Sequence, residues 1–366
     1  MRIRFACMLA AILLFSFRCS LPWGNRLPAE LTIVSYNAHN LFDDVDDGGE
    51  YPEFKLESGK WNKQLYEKRL AAAATALCSF SSDGRGMPDL ICLQEIENER
   101  VLKDLASGPL RKGGYHWLAL GGPADSAVKC GILSRLPPES VKAHSLADAW
   151  EFGPGRDMLE ATVSLGADGP RLTIFICHWK SRREGEEETE VARRLASKLA
   201  AARVAEIAEA DPERGVIVCG DFNESPDEFS RVGRKYPTAF MPNSMELARS
   251  VARKGNEIPK DWFDGVIRVA GTPADASLGN GEVTLYSPWT GAEGFSYIFD
   301  GQEERLDGFL LSPSLVDGQG AEFMGFMVSG EPALLNERGE PAVWNGSSGF
   351  SDHLPIALKI SWGKQR

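Results

Sequence analysis

The sequence has no CxxC pair, which argues against a structural zinc site. It has seven cysteines: Cys7, Cys19, Cys78, Cys92, Cys130, Cys177 and Cys219. Five of them lie beyond residue 19, an odd number, and Cys92, Cys130, Cys177 and Cys219 sit inside apolar strand-like runs. They read as small core residues and not as a disulfide framework. Basic charge is also short, with 40 Lys and Arg against 52 Asp and Glu, a net charge of −12. Overall charge therefore gives no help in attracting DNA or anionic lipid. A phosphate-ester substrate would need a metal cation and a local basic patch to overcome that field. No internal repeat is visible, and nothing in the composition suggests disorder, collagen or a coiled coil.

Long apolar runs are missing too, with one partial exception. Arg2 and Arg4 precede an apolar stretch from Phe5 to Phe17, too short to span a bilayer comfortably and similar to a signal-peptide core. Cys19 follows it, which suggests a bacterial lipoprotein signal, although Arg18 stands where such signals usually carry a small residue. The expectation is a signal peptide over 1–19 with Cys19 lipidated, an exported product that is periplasmic, membrane-anchored or secreted, and a monomer. Losing Arg2, Arg4 and Arg18 with that segment leaves 37 basic side chains against 52 acidic ones.

What is present is a series of short β-rich runs. They are Leu31–Tyr36, Asp89–Leu93, Cys130–Arg135, Glu160–Leu165, Leu172–His178, Gly215–Gly220, Leu306–Ser312, Glu322–Ser329 and Pro355–Trp362. Several are apolar at nearly every position, as strands covered on both faces are. Helical periodicity appears in Asn62–Phe80, with Leu65, Ala72, Ala76 and Phe80 on one face. It appears again in Thr189–Ala210, with Val191, Leu195, Leu199, Ala202 and Ala205. The acids of Glu184–Glu190 suit that helix start. Residues 224–294 form the longest irregular stretch, of the kind that often faces substrate. We expect a linker over 20–30 and one domain over 31–366.

Polar residues stand at the C-terminal ends of the apolar runs. Asn37 follows TIVSY, Glu95 follows LICLQ, His178 follows LTIFIC, and Asp221 and Asn223 follow GVIVCG. Asp352 and His353 sit just before PIALKI. Strand ends can bring distant side chains to one cleft. The residue types suit phosphate-ester hydrolysis: acids for a hard cation, histidines for proton transfer, asparagines for phosphate oxygens. Magnesium keeps several waters, so one or two carboxylates suffice and no dense acidic cluster is needed.

SYNAHNLF, LICLQEIEN, HWKSR, GDFNESP, LDGFLLS and SDHLPI occur in an order that resembles the endonuclease/exonuclease/phosphatase superfamily, over about residues 31–362. The resemblance implies an α/β fold, a four-layer αββα sandwich of two mixed sheets with helices outside. It implies a magnesium-dependent phosphoric ester hydrolase, with manganese or calcium as substitutes. Glu95 matches the metal-ligating glutamate, Asn37 the asparagine near metal and water, and Asp352 a carboxylate of the metal site or its surroundings. Asp221 matches the residue that positions or deprotonates the attacking water, and Asn223 the one that holds the scissile phosphate. His353 matches the catalytic histidine of the SDH motif, Asp307 the acid that orients it, and His178 the second histidine of the deoxyribonuclease-like branch. How proton transfers divide between Asp221, His178 and His353 is left open by the resemblance.

The substrate expectation is DNA or RNA. The alternatives are phospholipid or sphingomyelin, a small phosphoester, or a non-catalytic surface lipoprotein of the same fold. The segment EERLDGF replaces the PAWCDR-like segment of inositol-polyphosphate phosphatases, which disfavours that branch. Gly308 departs from relatives that carry His or Tyr after the aspartate. Arg156 is a candidate phosphate clamp. Lys180, Arg182 and Arg183 are a candidate basic cluster beside the cleft. Trp262–Phe263 could form an exposed aromatic loop suited to lipid. His39, His116 and His144 match no motif and read as structural or exposed.

Overall fold

The computed structural model describes residues 30–80, 86–123, 126–145, 157–166, 169–243, 258–279 and 281–363. The expected signal peptide with Cys19, the linker up to residue 29 and the candidate clamp Arg156 lie outside the described residues. Strands follow in the order β1 (Glu30–Leu41), β2 (Leu90–Ile96), β3 (Trp117–Gly121), β4 (Lys129–Ser134), β5 (Pro138–His144) and β6 (Met158–Ser164). Then come β7 (Arg171–His178), β8 (Gly215–Asp221), β9 (Phe240–Pro242), β10 (Ile267–Ala270), β11 (Ser277–Gly279) and β12 (Glu282–Tyr286). The last are β13 (Tyr297–Phe299), β14 (Gln302–Glu304), β15 (Asp307–Leu311), β16 (Ala321–Val328) and β17 (Ile356–Trp362). Helices are α1 (Lys63–Leu77), α2 (Glu99–Ser107), α3 (Glu190–Ala210) and the single turn α4 (Glu228–Arg231).

Two mixed sheets result. One runs β16-β17-β1-β2-β4-β3, and the other β5-β6-β7-β8-β15-β12-β10-β9 with β11 paired to β12. Alternation along the strands builds three layers of core. Leu31 and Ile33 of β1, Leu172, Ile174 and Ile176 of β7, and Ile356, Leu358 and Ile360 of β17 fill the space between the sheets. Val34 and Tyr36, one residue out of phase, pack against α1 and α2. Phe175, Val216 and Val218 pack against α3. This is the four-layer sandwich. Cys92, Cys130 and Cys219 belong to the inter-sheet core, and the five described cysteines are free thiols.

α1 buries Tyr66, Arg69, Leu70, Ala73 and, as expected, Ala76, with Leu65 and Phe80 packed at the edge of the same core and Ala72 partly exposed. The α3 face is rotated from the one expected. α3 buries Ala192, Ala196, Ala200 and Val204, while Val191 is 61% exposed. Small alanines let α3 approach the sheet closely, and that gain outweighs burying its larger aliphatic residues. The stretch 224–294 is not simply irregular: it supplies β9, β10 and β12, which extend the second sheet. These strands have only three to five residues, too few for a periodic signal. Trp262 and Phe263 are not an exposed loop. Phe263 is buried with Phe229, Met241 and Val266, and Trp262 packs edge-on against Phe229.

Candidate active site

Strand register builds one side of the site. His178 of β7 pairs with Asp221 of β8, and Asp221 pairs with Asp307 of β15, so the three residues form one row across three strands. Each continues the inward-facing series of its own strand: Ile174 and Ile176, then Ile217 and Cys219, then Phe309 and Leu311. Where these aliphatic series end, the polar residues begin, still facing the other sheet. Gly220 precedes Asp221 at φ 133°, and a Cβ there would stand 2.0 Å from the Cys177 carbonyl oxygen. Only glycine permits that close approach of β7 and β8.

The facing side is built on irregular backbone. Alternation would send Glu95 outward with Ile91 and Leu93. Instead Glu95 adopts φ 61°, and the β2–β4 register slips between Leu93 and Ile96. Its carboxylate thereby accepts bonds from Asn37 Nδ2 (3.3 Å) and Asn40 N (2.8 Å). His39 and Asn40 also have positive φ, at the slip between β1 and β2. Such conformations cost of order 1–3 kcal/mol each and persist where surroundings enforce them. Arg69 of α1 is the enforcing group: it donates to the carbonyls of Ala38 (2.6 Å), His39 (2.7 Å) and Phe350 (3.0 Å). One buried guanidinium thus ties the end of β1 to the loop carrying Asp352 and His353. In that loop Ser351 Oγ accepts from His353 N at 3.0 Å, and Ser351 N donates to Tyr36 Oη at 3.2 Å.

The two sides meet at Asp221. Asn37 Nδ2 donates to Asp221 Oδ2 at 2.9 Å, and Asn223 N donates to Oδ1 at 2.8 Å. His178 Nε2 lies 3.6 Å from Asp221 and 3.5 Å from Glu95. His353 bonds Asp307 through Nδ1 at 2.7 Å and turns Nε2 toward Asp221 at 3.8 Å. Burial raises the Asp221 carboxyl from its ordinary 3.8 to about 6, against the lowering effect of His353. Burial alone would lower the His353 pKa. Asp307, then Asp221 and Asp352, outweigh it and hold the imidazole well above its usual value. Asp352 is half-buried, which acts to raise its pKa, yet His353 and His39 hold it below the usual carboxylate range.

All eight residues expected at the site that are described converge here: Asn37, Glu95, His178, Asp221, Asn223, Asp307, Asp352 and His353. Asn37 spends its amide on two carboxylates, and its Oδ1 accepts from His39 N at 2.9 Å. That places it to align Glu95 with Asp221. Asn223, at φ 49°, donates from Nδ2 to the Trp179 carbonyl at 3.1 Å. In the basic cluster, Lys180 pairs with Glu184 and Arg182 with Glu186, Glu228 and Glu304, so both charges are answered. His116 is exposed, and His144 pairs with Glu160 at 2.6 Å, away from the site. The space beside Gly308 is filled by Phe222 and by Trp289, whose Nε1 donates to the Asp307 carbonyl.

Three contributors were missed in the sequence. His39 Nδ1 lies 3.4 Å from Asp352. Arg69 gave no signal, being one cation in an ordinary helical pattern. Tyr297 bridges to His353 through the backbone, and its ring lies 4.7 Å from the imidazole at a 37° tilt. Its hairpin was findable, because Asp300-Gly301 lies between short apolar and polar strands, and both residues have positive φ as a two-residue turn requires.

A hard cation fits this donor set. Glu95 and Asp352 are the more open carboxylates, with side chains 16% and 24% exposed, whereas Asp221 and Asp307 are almost fully buried. A magnesium ion that keeps part of its water shell suits such a mouth. The oxygens and nitrogen of Asp221, Asp307 and His353 also lie within 4.8 Å of one another. An ion among them would have to displace the 2.7 Å Asp307–His353 bond, so Glu95 with Asp352 is the better pair of ligands.

Fold and site together define a metal-dependent phosphoric ester hydrolase. The model of the Endonuclease/Exonuclease/phosphatase family matches residues 32–236, and the chain belongs to that family. No curated protein sequence matches the chain significantly. Among solved structures, TDP2 from C. elegans is similar in fold, at 16% identity over 91% of this chain and 75% of that one, with a TM-score of 0.51. An endonuclease/exonuclease/phosphatase family protein from Bacteroides thetaiotaomicron is similar at 16% identity over 93% of this chain and 100% of its own, with a TM-score of 0.50.

Proposed function

We propose that the protein is an exported, magnesium-dependent phosphodiesterase that hydrolyses nucleic acid. The carrying observation is the convergence on Asp221 of Asn37, Asn223, His178 and the Asp307–His353 pair. With a pKa near 6, Asp221 is ionised at neutral pH yet basic enough to take a proton from an attacking water. His353, held protonated by Asp307, offers Nε2–H to a phosphoryl oxygen, and His178 stands between Glu95 and Asp221 to do the same. Magnesium, when bound by Glu95 and Asp352, would neutralise charge on the phosphoryl and leaving oxygens.

Nucleic acid is supported at the mouth of the site. The β13–β14 hairpin holds Tyr297 against His353 and leaves Phe299 64% exposed, two rings on which bases can stack. Arg183 is exposed, forms no ion pair among the described residues, and is close enough to influence Tyr297. Phe263 is buried and Trp262 packs partly buried against Phe229, so this pair does not offer the exposed aromatic loop that would favour lipid. One observation favours a second reading, a compact phosphoester. A cleft of about 720 Å³ beside Asp352 is lined by Asn336, Glu340, Asn345, Ser348 and Phe350, with no lysine or arginine to hold an extended polyanion. Export rests on residues 1–19 alone.

Supercoiled plasmid, sphingomyelin vesicles and a chromogenic phosphate bis-ester, each with magnesium and with chelator, separate these readings. Plasmid relaxation that needs magnesium and vanishes in Glu95→Gln is the expected result. Lipid cleavage with plasmid left intact would sink the nucleic-acid proposal. Turnover of the bis-ester alone would favour the compact substrate.

A further inference from the structure

A second group of carboxylates lies just beyond the strand ends that carry Asn37 and Glu95. The segment Phe42–Glu50 leaves β1 and folds back on Glu97, the residue after β2. One oxygen from each of Asp47, Glu50 and Glu97 lies within 4.8 Å of the other two. Glu97 is 4% exposed and Glu50 is 8% exposed. Glu50 is held by backbone donors, Asp47 N and Gly48 N. Glu97 accepts from Asp43 N through Oε2 at 2.6 Å, while its buried Oε1 has no hydrogen-bond partner.

Arg100 pairs with Asp43, Asp44 and Asp104. Lys129 donates to the Glu97 backbone carbonyl (3.1 Å) and to Ser126 O (2.7 Å). Among the described residues no arginine or lysine forms an ion pair with Asp47, Glu50 or Glu97. Glu97 Oε1 is thus a buried carboxylate oxygen with neither a cation nor a donor, which is costly. The segment is nonetheless firmly seated. Phe42 stacks on Phe54 at 4.6 Å, Phe54 meets Trp61 edge-on at 5.0 Å, and Trp61 Nε1 donates to the Asp43 carbonyl. Aromatic packing therefore holds the acids together against their repulsion.

We propose that Asp47, Glu50 and Glu97 form a divalent-cation site of the calcium class, distinct from the active site. Three oxygens within 4.8 Å of one another need shifts of only a few tenths of an ångström to meet one ion at calcium's contact distance of about 2.3–2.6 Å, and a short irregular loop suits its flexible coordination. Glu97 N is bonded to Leu41 O at 3.2 Å, so the ion would clamp the segment after the strained His39 and Asn40 onto the end of β2. Its task is to position Asn40 and Glu95, not to touch substrate.

The test reads binding and melting, so it is independent of the hydrolase proposal. The full chain carrying Glu95→Gln, which removes an active-site ligand, is titrated calorimetrically with calcium chloride and melted with and without it. One calcium per chain is expected, with a Tm rise of about 3–6 °C at a concentration on the order of 100 times Kd. Adding Glu97→Gln keeps an acceptor for Asp43 N but removes the charge. It should abolish the calcium heat and the Tm rise while leaving the metal-free Tm no lower. Asp47→Asn alters an exposed side chain that the fold does not need, so it reports even if the buried variant misfolds. It should weaken calcium binding by about tenfold, one lost ligand charge being worth roughly that factor. Absence of binding in the Glu95→Gln protein overturns the proposal. So does binding that neither added substitution changes.

Discussion

The nine-stranded sheet delivers His178, Asp221 and Asp307 by register, as the next inward positions of three well-formed strands. The six-stranded sheet delivers Asn37 in the same way, but Glu95, His39 and Asn40 only through left-handed backbone and two register slips. The regular side gains its precision from the ladder itself. The irregular side needs outside support, which Arg69 supplies from α1. The two halves should therefore fail differently: damage to the row should remove chemistry and spare the fold, whereas damage to the strained half should couple stability to activity.

The largest effect is expected in the row. Asp221→Ala and His353→Ala should each lower kcat on any hydrolysed phosphoester by about 10²–10⁴-fold. Because the two groups act as a unit, the double variant should be little worse than either single one. Melting should stay within a few degrees of the parent. A single variant that keeps a tenth of the parent kcat would show that the row is structural and not chemical.

Arg69→Leu comes next and probes the other half. It leaves the carbonyls of Ala38, His39 and Phe350 buried without a donor. Loss of about 2–4 kcal/mol in denaturant unfolding is expected, together with a fall in kcat of at least about tenfold from misplaced Glu95 and Asp352. Unchanged activity in a destabilised protein would separate the anchor from the site.

The same contrast explains what was legible in the sequence. His178 and Asp221 stand where apolar strand runs end, so pattern and chemistry pointed to the same positions, whereas Asp307, which opens β15, was named from the family resemblance. The main strands, the long helices and the core cysteines were legible from the apolar runs, and the two-sheet sandwich from the resemblance. Glu95 could be named from its motif, but alternation predicts the wrong face for its carboxylate, and only the slip corrects it. Arg69 and Tyr297 were invisible as site residues because their roles arise from tertiary contacts with segments 30 or more residues away. The aliphatic stripe of α3 misled in the opposite direction: hydrophobic size suggested a buried face, but close packing selected alanine and left Val191 exposed and Leu195 and Leu199 at the edge.

Glu95→Asn is a smaller and more pointed test of strain. Asparagine tolerates the left-handed region better than glutamate, and its shorter side chain cannot span to Asn37, Asn40 and His178. Magnesium-dependent activity should disappear while unfolding stability holds or rises by up to about 1 kcal/mol. The equivalent change in the row, Asp221→Asn, has no positive φ to relieve and should not stabilise through the backbone. A clear loss of stability in Glu95→Asn would mean that the left-handed turn at 95 is not strained.

The smallest effect concerns the proton on Asp221, where the two halves touch. Its carboxyl sits at about 6 in the folded protein against an ordinary 3.8. Between those values the folded chain holds a proton that the unfolded chain has released, so this group lowers stability as pH rises through that window. Activity should move the other way, rising through about pH 6 as Asp221 becomes able to accept a proton. Asn37 Nδ2 donates to the ionised carboxylate and lowers its pKa. Asn37→Ala should therefore shift the acid limb of kcat/KM to higher pH, with the plateau reduced because Glu95 loses the same donor. His178→Gln changes neither hydrogen bond to Asp221 from Asn37 or Asn223, so its acid limb should move less than that of Asn37→Ala. If both variants keep the parent limb, the proton that controls the rate is not on Asp221, and the row and the strained half do not communicate through that carboxylate.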